Sequence, residues 1–254
     1  MSDALRAVWS AKRLWALHVV AGAAWLAAAY GWLWIPDERI WQLAVTLLGG
    51  IVLVGALLWL QGGTWVFFEQ VHAGWPMPVA TPFRGPLRRV PPLVVWGLLV
   101  VLVYWAVGFV AEFVPVVADW LASALTLGTR TPVSPEYTLK FLSTLEWVVE
   151  WVLLPLLLLP WGAEVAANGF AGFGGRSLRT AWRVFRRGSH WSSYVVLFAL
   201  GVYVPSQLVY WIPEVQSFGG QAASLAGRFL AAYLLFITAW LVLASLLGRL
   251  RRAE

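Results

Sequence analysis

Long apolar runs separated by short polar segments dominate the hydropathy pattern of this chain. An α-helix needs about 20 apolar residues to cross the hydrocarbon core of a bilayer, and most runs are close to that length. The pattern predicts an all-α fold in which a single domain, residues 1–254, crosses the membrane six times. The predicted spans are Leu14–Ile35, Ile40–Leu60, Leu93–Phe113, a long helical stretch over Ser134–Asn168, His190–Trp211 and Phe229–Leu247.

The first apolar run admits two interpretations. A basic, amphipathic lead-in over Ser2–Arg13, an apolar stretch and the small residues Ala27–Ala29 would suit a cleaved signal peptide. The apolar run nevertheless continues through Trp34, which makes it long enough to span. We therefore expect a retained first span.

The segments between the spans carry local signals. Thr64–Ala73 is typical of a short interfacial helix, and Leu121–Leu127 indicates a surface turn in an outer loop. Ser134 is a suitable N-cap for the fourth span because a proline follows it at the first helical position. Proline inside a helix removes a hydrogen bond, so we expect kinks at Pro155, Pro160 and Pro205.

The longest polar interruption with a helical pattern is Gly174–Trp191. At about 100° per residue, its arginines fall on one arc: Arg176, Arg179, Arg183, Arg186 and Arg187. The apolar residues fall on the opposite side: Leu178, Ala181, Trp182, Val184 and Phe185. A helix of this kind lies along a membrane surface. We expect Trp182 and Phe185 to enter the headgroup boundary while the five arginines bind anionic lipid or an acidic membrane partner.

The distribution of basic residues predicts the orientation in the membrane. Short cytoplasmic loops are enriched in Lys and Arg. All but four of the eighteen Lys and Arg residues fall in the two termini and the two segments predicted to be inside; the exceptions are Arg39, Arg130, Lys140 and Arg228. We therefore expect both termini and the interfacial helices on the cytoplasmic side of the membrane.

Composition narrows the function classes. With 61% hydrophobic and 12% charged residues, and a mean hydropathy of +0.74, the chain belongs to a membrane class. The formal charge of +6 is explained by orientation, so we expect no nucleic-acid partner. The absence of cysteine excludes disulfides, thiolate catalysis and cysteine-ligated metals. Many of the nineteen tryptophans lie near span ends, as in aromatic interface belts.

The residues around the basic helix resemble a known motif. Asn168–Gly169, Ser177–Val184 and Gly188–Trp191 are similar to a pattern between spans four and five in a group of six-span bacterial membrane proteins. That group includes the membrane domain fused to some glycerophosphodiester phosphodiesterases. The chain departs from the pattern at Asn168, where the group has an acid, and at Ala181, where it has serine. The resemblance implies a six-span fold and a location in a bacterial inner membrane. It assigns no reaction, because the membrane domain of that group has no agreed catalytic role.

Three histidines are candidates for a metal or haem site, because His18, His72 and His190 all fall near the predicted cytoplasmic face. Their spacing matches no known ligand motif, and each position is an ordinary one for an amphipathic side chain. We expect neither a metal nor another cofactor.

Ionisable residues inside spans form a second candidate site. Charge at depth is costly and usually faces a cavity or a partner. Glu146 and Glu150 lie one turn apart on the fourth span, while Glu112 and Arg228 lie near the outer ends of the third and sixth. This candidate polar cluster would carry protons or bind a substrate. The alternative, which we favour, is that the four residues snorkel to the interface or form a structural ion pair.

Catalytic sequence signatures are missing from the chain: no serine, histidine and acid signature and no glycine-rich phosphate loop stands out. The sequence therefore favours a non-enzymatic accessory or scaffold that engages anionic lipid, a membrane partner or a second copy of itself. The alternative function is a small secondary transporter that uses the acids of the candidate polar cluster in the outer leaflet. A membrane enzyme is the third possibility.

Overall fold

The structure, a computed structural model, describes residues 2–36, 38–75, 78–84, 90–214 and 217–252. Across these residues the regular secondary structure is entirely helical. The helices are α1 Ser2–Ser10, α2 Lys12–Leu33, α3 Ile40–His72, α4 Ala80–Arg84, α5 Val90–Ala111, α6 Val114–Thr129, α7 Pro135–Val148, α8 Leu154–Asn168, α9 Gly175–Phe185, α10 Gly188–Phe198, α11 Val204–Tyr210 and α12 Phe218–Arg252.

Six helical segments of the described chain are long and apolar enough to cross a membrane, which confirms the predicted fold class. They are Lys12–Leu33, Ile40–His72, Val90–Ala111, Pro135–Phe173, Gly188–Tyr210 and Phe218–Arg251. The chain divides into two compact units, with both boundaries inside helices, in α5 and in α8. The first comprises Met1–Val94 and Pro160–Glu254, and the second comprises Val95–Leu159.

The second span differs from the sequence prediction because α3 does not end near Leu60. It continues without a break to His72, so the separate interfacial helix predicted over Thr64–Ala73 is wrong. The residues beyond Leu60 pack inside the first unit, where Trp65 and Phe68 are buried. Their apolar character reflects contact with protein rather than with the membrane interface. The helix ends where Gly74 adopts a positive φ of 77°, a conformation that favours glycine.

Helices α3 and α12 cross at very close range in the core of the first unit. A Cβ built on Gly248 of α12 would lie 2.9 Å from the backbone nitrogen of Glu69 and 3.0 Å from the carbonyl carbon of Phe68. Glycine therefore permits a contact between backbones that any larger residue would push apart. Helix α1 closes the same region, since Ala4 is fully buried and its carbonyl accepts a 3.3 Å hydrogen bond from Ser245 Oγ.

Two spans contain a widened π-helical turn immediately before a proline. Val149–Leu153 precedes Pro155, and Ala199–Tyr203 precedes Pro205. In the first turn the amide of Leu154 donates to the carbonyl of Val149, five residues back. The next carbonyl, that of Glu150, would need the amide of residue 155, which proline lacks. The predicted disturbances at Pro155 and Pro205 are thus π turns, whereas Pro160 lies inside α8.

The second unit contains an antiparallel pair of helices, α6 and α7. Helix α6 replaces the surface turn predicted over Leu121–Leu127, a prediction that is wrong. The small residues Ala118 and Ala122 are buried, and Thr138 of α7 donates a 3.0 Å hydrogen bond to the Ala118 carbonyl. The predicted cap is confirmed, because Ser134 Oγ accepts a 3.2 Å hydrogen bond from the Glu136 amide.

Candidate functional site

Helix α9 has three faces rather than the two that its sequence pattern predicted. Ser177, Ala181 and Val184 are buried and attach the helix to the rest of the first unit. Their spacing of four and three residues places them on one side of a helix. The Ser177 hydroxyl strengthens the attachment by donating a 3.3 Å hydrogen bond to the Ala171 carbonyl. Two residues assigned to the membrane-facing side, Ala181 and Val184, therefore pack against protein.

The second face of α9 is apolar and exposed. Leu178 and Trp182 are exposed at 43% and 51%, and Phe185 is half-buried. The Trp182 and Phe185 rings stack with centroids 5.1 Å apart, and Trp191 lies 5.3 Å from Phe185 on its other side. The Trp191 indole also donates a 2.6 Å hydrogen bond to the Phe185 carbonyl. These contacts fix an aromatic ridge on the surface.

The third face carries the arginines, and it separates them into two groups. Arg176, Arg179, Arg183 and Arg186 are exposed. Arg187 is half-buried, and its Nη1 donates a 3.1 Å hydrogen bond to the carbonyl of Leu250 near the end of α12. Four of the five predicted arginines thus face outward, while the fifth contributes to the attachment of α9.

A buried ion-pair cluster that the sequence analysis missed joins α3, α8 and α12. The guanidinium of Arg251 donates from Nη1 to Glu69 Oε2 at 2.8 Å and from Nε to Glu164 Oε1 at 2.7 Å. The second oxygen of Glu164 accepts a 2.9 Å hydrogen bond from Asn168 Nδ2. The sequence signal was present, because Glu69 and Glu164 are isolated acids within apolar helical runs. Arg251 was assigned to orientation alone.

The histidines of the first unit lie in separate polar contacts. His18 Nε2 is 2.7 Å from Thr64 Oγ1, and the Thr64 hydroxyl donates to the Leu60 carbonyl, so the threonine oxygen accepts from the imidazole. His72 Nε2 is 3.0 Å from Ser245 Oγ. His190 is buried. Among the described residues, no three His, Cys, Asp or Glu side chains come together as metal ligands would.

The acidic members of the candidate polar cluster all belong to the second unit. Glu112 is exposed just after α5, whereas Glu146 and Glu150 are half-buried. Within the described part of that unit, none of the three carboxylates forms an ion pair. The Glu150 backbone carbonyl, left without its helical donor by Pro155, accepts a 2.9 Å hydrogen bond from the Tyr104 hydroxyl.

Arg228, the fourth member of that cluster, belongs to the first unit. Its guanidinium donates to the carbonyls of Leu208, Val209 and Trp211 and to that of Ser224. These groups include the last carbonyls of α11, which have no helical donor of their own. Arg228 therefore caps a helix C-terminus, a role that basic residues commonly fill. Pairing of Arg228 with Glu150 stays a prediction.

Comparisons of the chain with family models, with curated proteins and with solved structures found no match in any of the three. The resemblance based on Asn168–Trp191 accordingly stays a prediction, and the geometry of α9 is the main guide to function.

Proposed function

We propose that this protein is a non-enzymatic accessory or scaffold of a bacterial inner membrane, whose helix α9 engages anionic lipid or an acidic membrane partner. The three-faced geometry of α9 carries this proposal. One face is attached to the protein, one exposes an aromatic ridge, and one presents guanidinium groups to the surroundings. A helix attached in this way is held at the interface before any lipid binds.

The basic residues support an orientation with α9 and both termini on the cytoplasmic side. Lys and Arg concentrate in the segments assigned to that side, as the positive-inside rule requires. Anionic lipid gives the inner surface a negative potential, so the arginine face is complementary to it. Trp182 is a side-chain type that accumulates at the headgroup level, and Phe185 is a type that interfacial helices bury at the boundary between headgroups and acyl chains.

The electrostatic attraction between α9 and an anionic surface has a modest free energy. Each basic residue close to an anionic surface contributes about 1 kcal/mol. Arg176 and Arg186 together would contribute roughly 2 kcal/mol on that scale. Arg179, Arg183 and Arg187 contribute less because they also interact within the protein. Attachment of α9 to the fold removes most of the entropic cost that a free peptide would meet.

Fluorescence in nanodiscs tests the proposal on the full chain, since the sequence holds no native cysteine. In nanodiscs of mixed lipid composition, a fluorophore on Leu178→Cys should be quenched by brominated phosphatidylglycerol that collects at the arginines, and the quenching should fall as salt screens that attraction. Arg176→Gln with Arg186→Gln should weaken the quenching, because neither arginine pairs with a described residue. Arg130→Gln with Lys140→Gln removes the same charge elsewhere and should leave it unchanged. Equal quenching by a brominated zwitterionic lipid would contradict the proposal that the arginines attract anionic lipid.

A second candidate is a small secondary transporter that uses the acids of the second unit. Half-buried Glu146 and Glu150 favour it, because they lie on an apolar span without an ion pair in the described part of their unit. Intramembrane carboxylates of this kind are used in proton relays. Glu150→Gln distinguishes the candidates: a stable variant that loses proton-coupled flux in proteoliposomes would favour the transporter. Unchanged proton leak together with an altered melting temperature would favour a structural role.

A further inference from the structure

A surface groove of the first unit lies between α2, α3 and the segment that contains α4. Its accessible volume is about 620 Å³, and it opens to the outside. Apolar residues form most of the lining, and two arginines complete it: Arg13, Leu17, Trp59, Pro78, Val79, Ala80, Phe83 and Arg84. None of the lining residues belongs to α9, so the groove is a separate feature of the surface.

The ends of two apolar runs lie at the groove, which would place it at the boundary between hydrocarbon and headgroups. The apolar run Ile40–Leu60 of α3 has about the length that crosses the hydrocarbon core at roughly 1.5 Å per residue. Trp59 is the penultimate residue of that run, and the polar residue Gln61 follows the run directly. Arg13 lies at the matching end of α2, directly before the apolar run that begins at Leu14. Leu17 is one helical turn deeper.

The wall of the groove is fixed before any ligand binds. Phe83 of α4 is buried and lies edge-on to Trp59, with ring centroids 5.4 Å apart. The Trp59 indole donates a 3.0 Å hydrogen bond to the Phe83 carbonyl. A Cβ on Gly63 would lie 2.4 Å from the Phe83 ring, so the absence of a side chain there lets the ring enter. A wall held in this way lowers the entropic cost of binding.

The two arginines of the groove are available to a ligand. Arg13 and Arg84 are exposed, and neither pairs with another described residue. Guanidinium groups present planar sets of donors that match phosphate oxygens. Basic pockets between membrane helices bind anionic lipid headgroups. The apolar residues that form the rest of the lining match an acyl chain.

We propose that this groove binds one anionic phospholipid molecule. Arg13 and Arg84 contact its phosphate, and an acyl chain follows Leu17, Trp59 and Val79 toward the hydrocarbon. Because the groove combines two arginines with an apolar surface, it selects a lipid over a soluble phosphate. The site does not depend on α9, so either proposal can fail without the other.

Native mass spectrometry of the delipidated full chain, titrated with phosphatidylglycerol, tests the site. Each arginine near anionic lipid contributes about fivefold in affinity, so Arg13→Gln with Arg84→Gln should weaken binding of the first lipid by roughly 30-fold. Arg6→Gln with Lys12→Gln removes equal charge from residues that do not line the groove, and it should leave that affinity within about threefold. Val79→Trp keeps both arginines but fills the groove, and it should abolish binding of the first lipid.

Three outcomes would overturn the proposal. The first is that the affinity for the first lipid survives both Val79→Trp and the double arginine substitution. The second is that phosphatidylcholine binds as tightly as phosphatidylglycerol. The third is that glycerol phosphate displaces the lipid at matched concentration. Arg176→Gln with Arg186→Gln should leave first-lipid binding intact. If that pair weakens it as much as the groove pair does, the bound lipid lies at α9 and the groove assignment is wrong.

Discussion

Arg251 Nε donates a 2.7 Å hydrogen bond to Glu164 Oε1 where the two side chains are only 9% and 5% exposed. This contact links the end of α12 to α8, and Glu69 extends it to α3. Removing one partner from a buried ion pair leaves an uncompensated charge and costs about 3–5 kcal/mol. Arg251→Gln should therefore lower the free energy of unfolding by that order, measured by SDS titration in mixed micelles.

Arg249 provides the matched control for this prediction. It lies half a turn away on α12 and pairs with Asp3 at 3.1 Å, with both side chains about half exposed. Exposed pairs contribute less than about 1 kcal/mol, so Arg249→Gln should have a small effect. Adding Glu164→Gln to Arg251→Gln should recover part of the loss. Equal effects of the two arginine substitutions would show that burial does not strengthen the Arg251 cluster.

Substitution of Tyr104 tests the account of the π turn in the second unit. Tyr104→Phe removes the donor to the Glu150 carbonyl and should cost about 1 kcal/mol of unfolding free energy. Tyr137→Phe, on an exposed side chain of the same unit, should cost nothing measurable. Pro155→Ala restores an amide that can donate to that carbonyl. In its background Tyr104→Phe should cost less; an undiminished cost would contradict the proline explanation.

Gly248→Ala tests the close crossing of α3 and α12. Its Cβ would meet backbone atoms of Phe68 and Glu69 at about 3 Å, and backbone cannot move aside like a flexible side chain. Overpacking of this kind costs about 1–3 kcal/mol. Gly227 lies on the same helix, where a Cβ would have no neighbouring atom within 4 Å, and Gly227→Ala should stabilise by up to about 1 kcal/mol. Melting temperatures of the two variants should move in opposite directions.

Cysteine accessibility in intact spheroplasts tests the proposed orientation. Thr81→Cys and Arg176→Cys should be shielded from an impermeant thiol reagent, whereas Gly128→Cys and Ser217→Cys should react. All four positions are exposed in the structure, so shielding would report the membrane rather than burial. Ser177 is unsuitable because it is buried. Labelling of Arg176→Cys from outside would reverse the orientation and remove α9 from the cytoplasmic face.

The number and class of the spans could be predicted from the sequence because hydropathy over about 20 residues is a strong signal. The amphipathic character of α9 also followed from periodicity. The attached face of α9 did not, because Ala181 and Val184 look the same whether they contact lipid or protein. The continuation of α3 beyond Leu60 was missed for the same reason.

Contacts between residues that are distant in the chain were the second feature that the sequence could not predict. Nothing local relates Glu69, Glu164 and Arg251, which lie on three helices far apart in sequence, and the arginine fell in a terminal basic group that orientation already explained. The groove beside Trp59 depends likewise on the folding of α4 back onto α3. Disturbed helices at Pro155 and Pro205 could be predicted from the prolines themselves. Their form as π turns could not, because it depends on which carbonyls lose a donor.

The crossing of α3 and α12 has a consequence for biosynthesis. Glu69 and Glu164 leave the ribosome well before Arg251, and domains form progressively as the chain emerges. Until α12 is inserted, the two acids lack their common cation and α3 lacks the helix that covers Phe68. A chain interrupted before Gly248 therefore keeps two acids without their shared cation in an incomplete bundle.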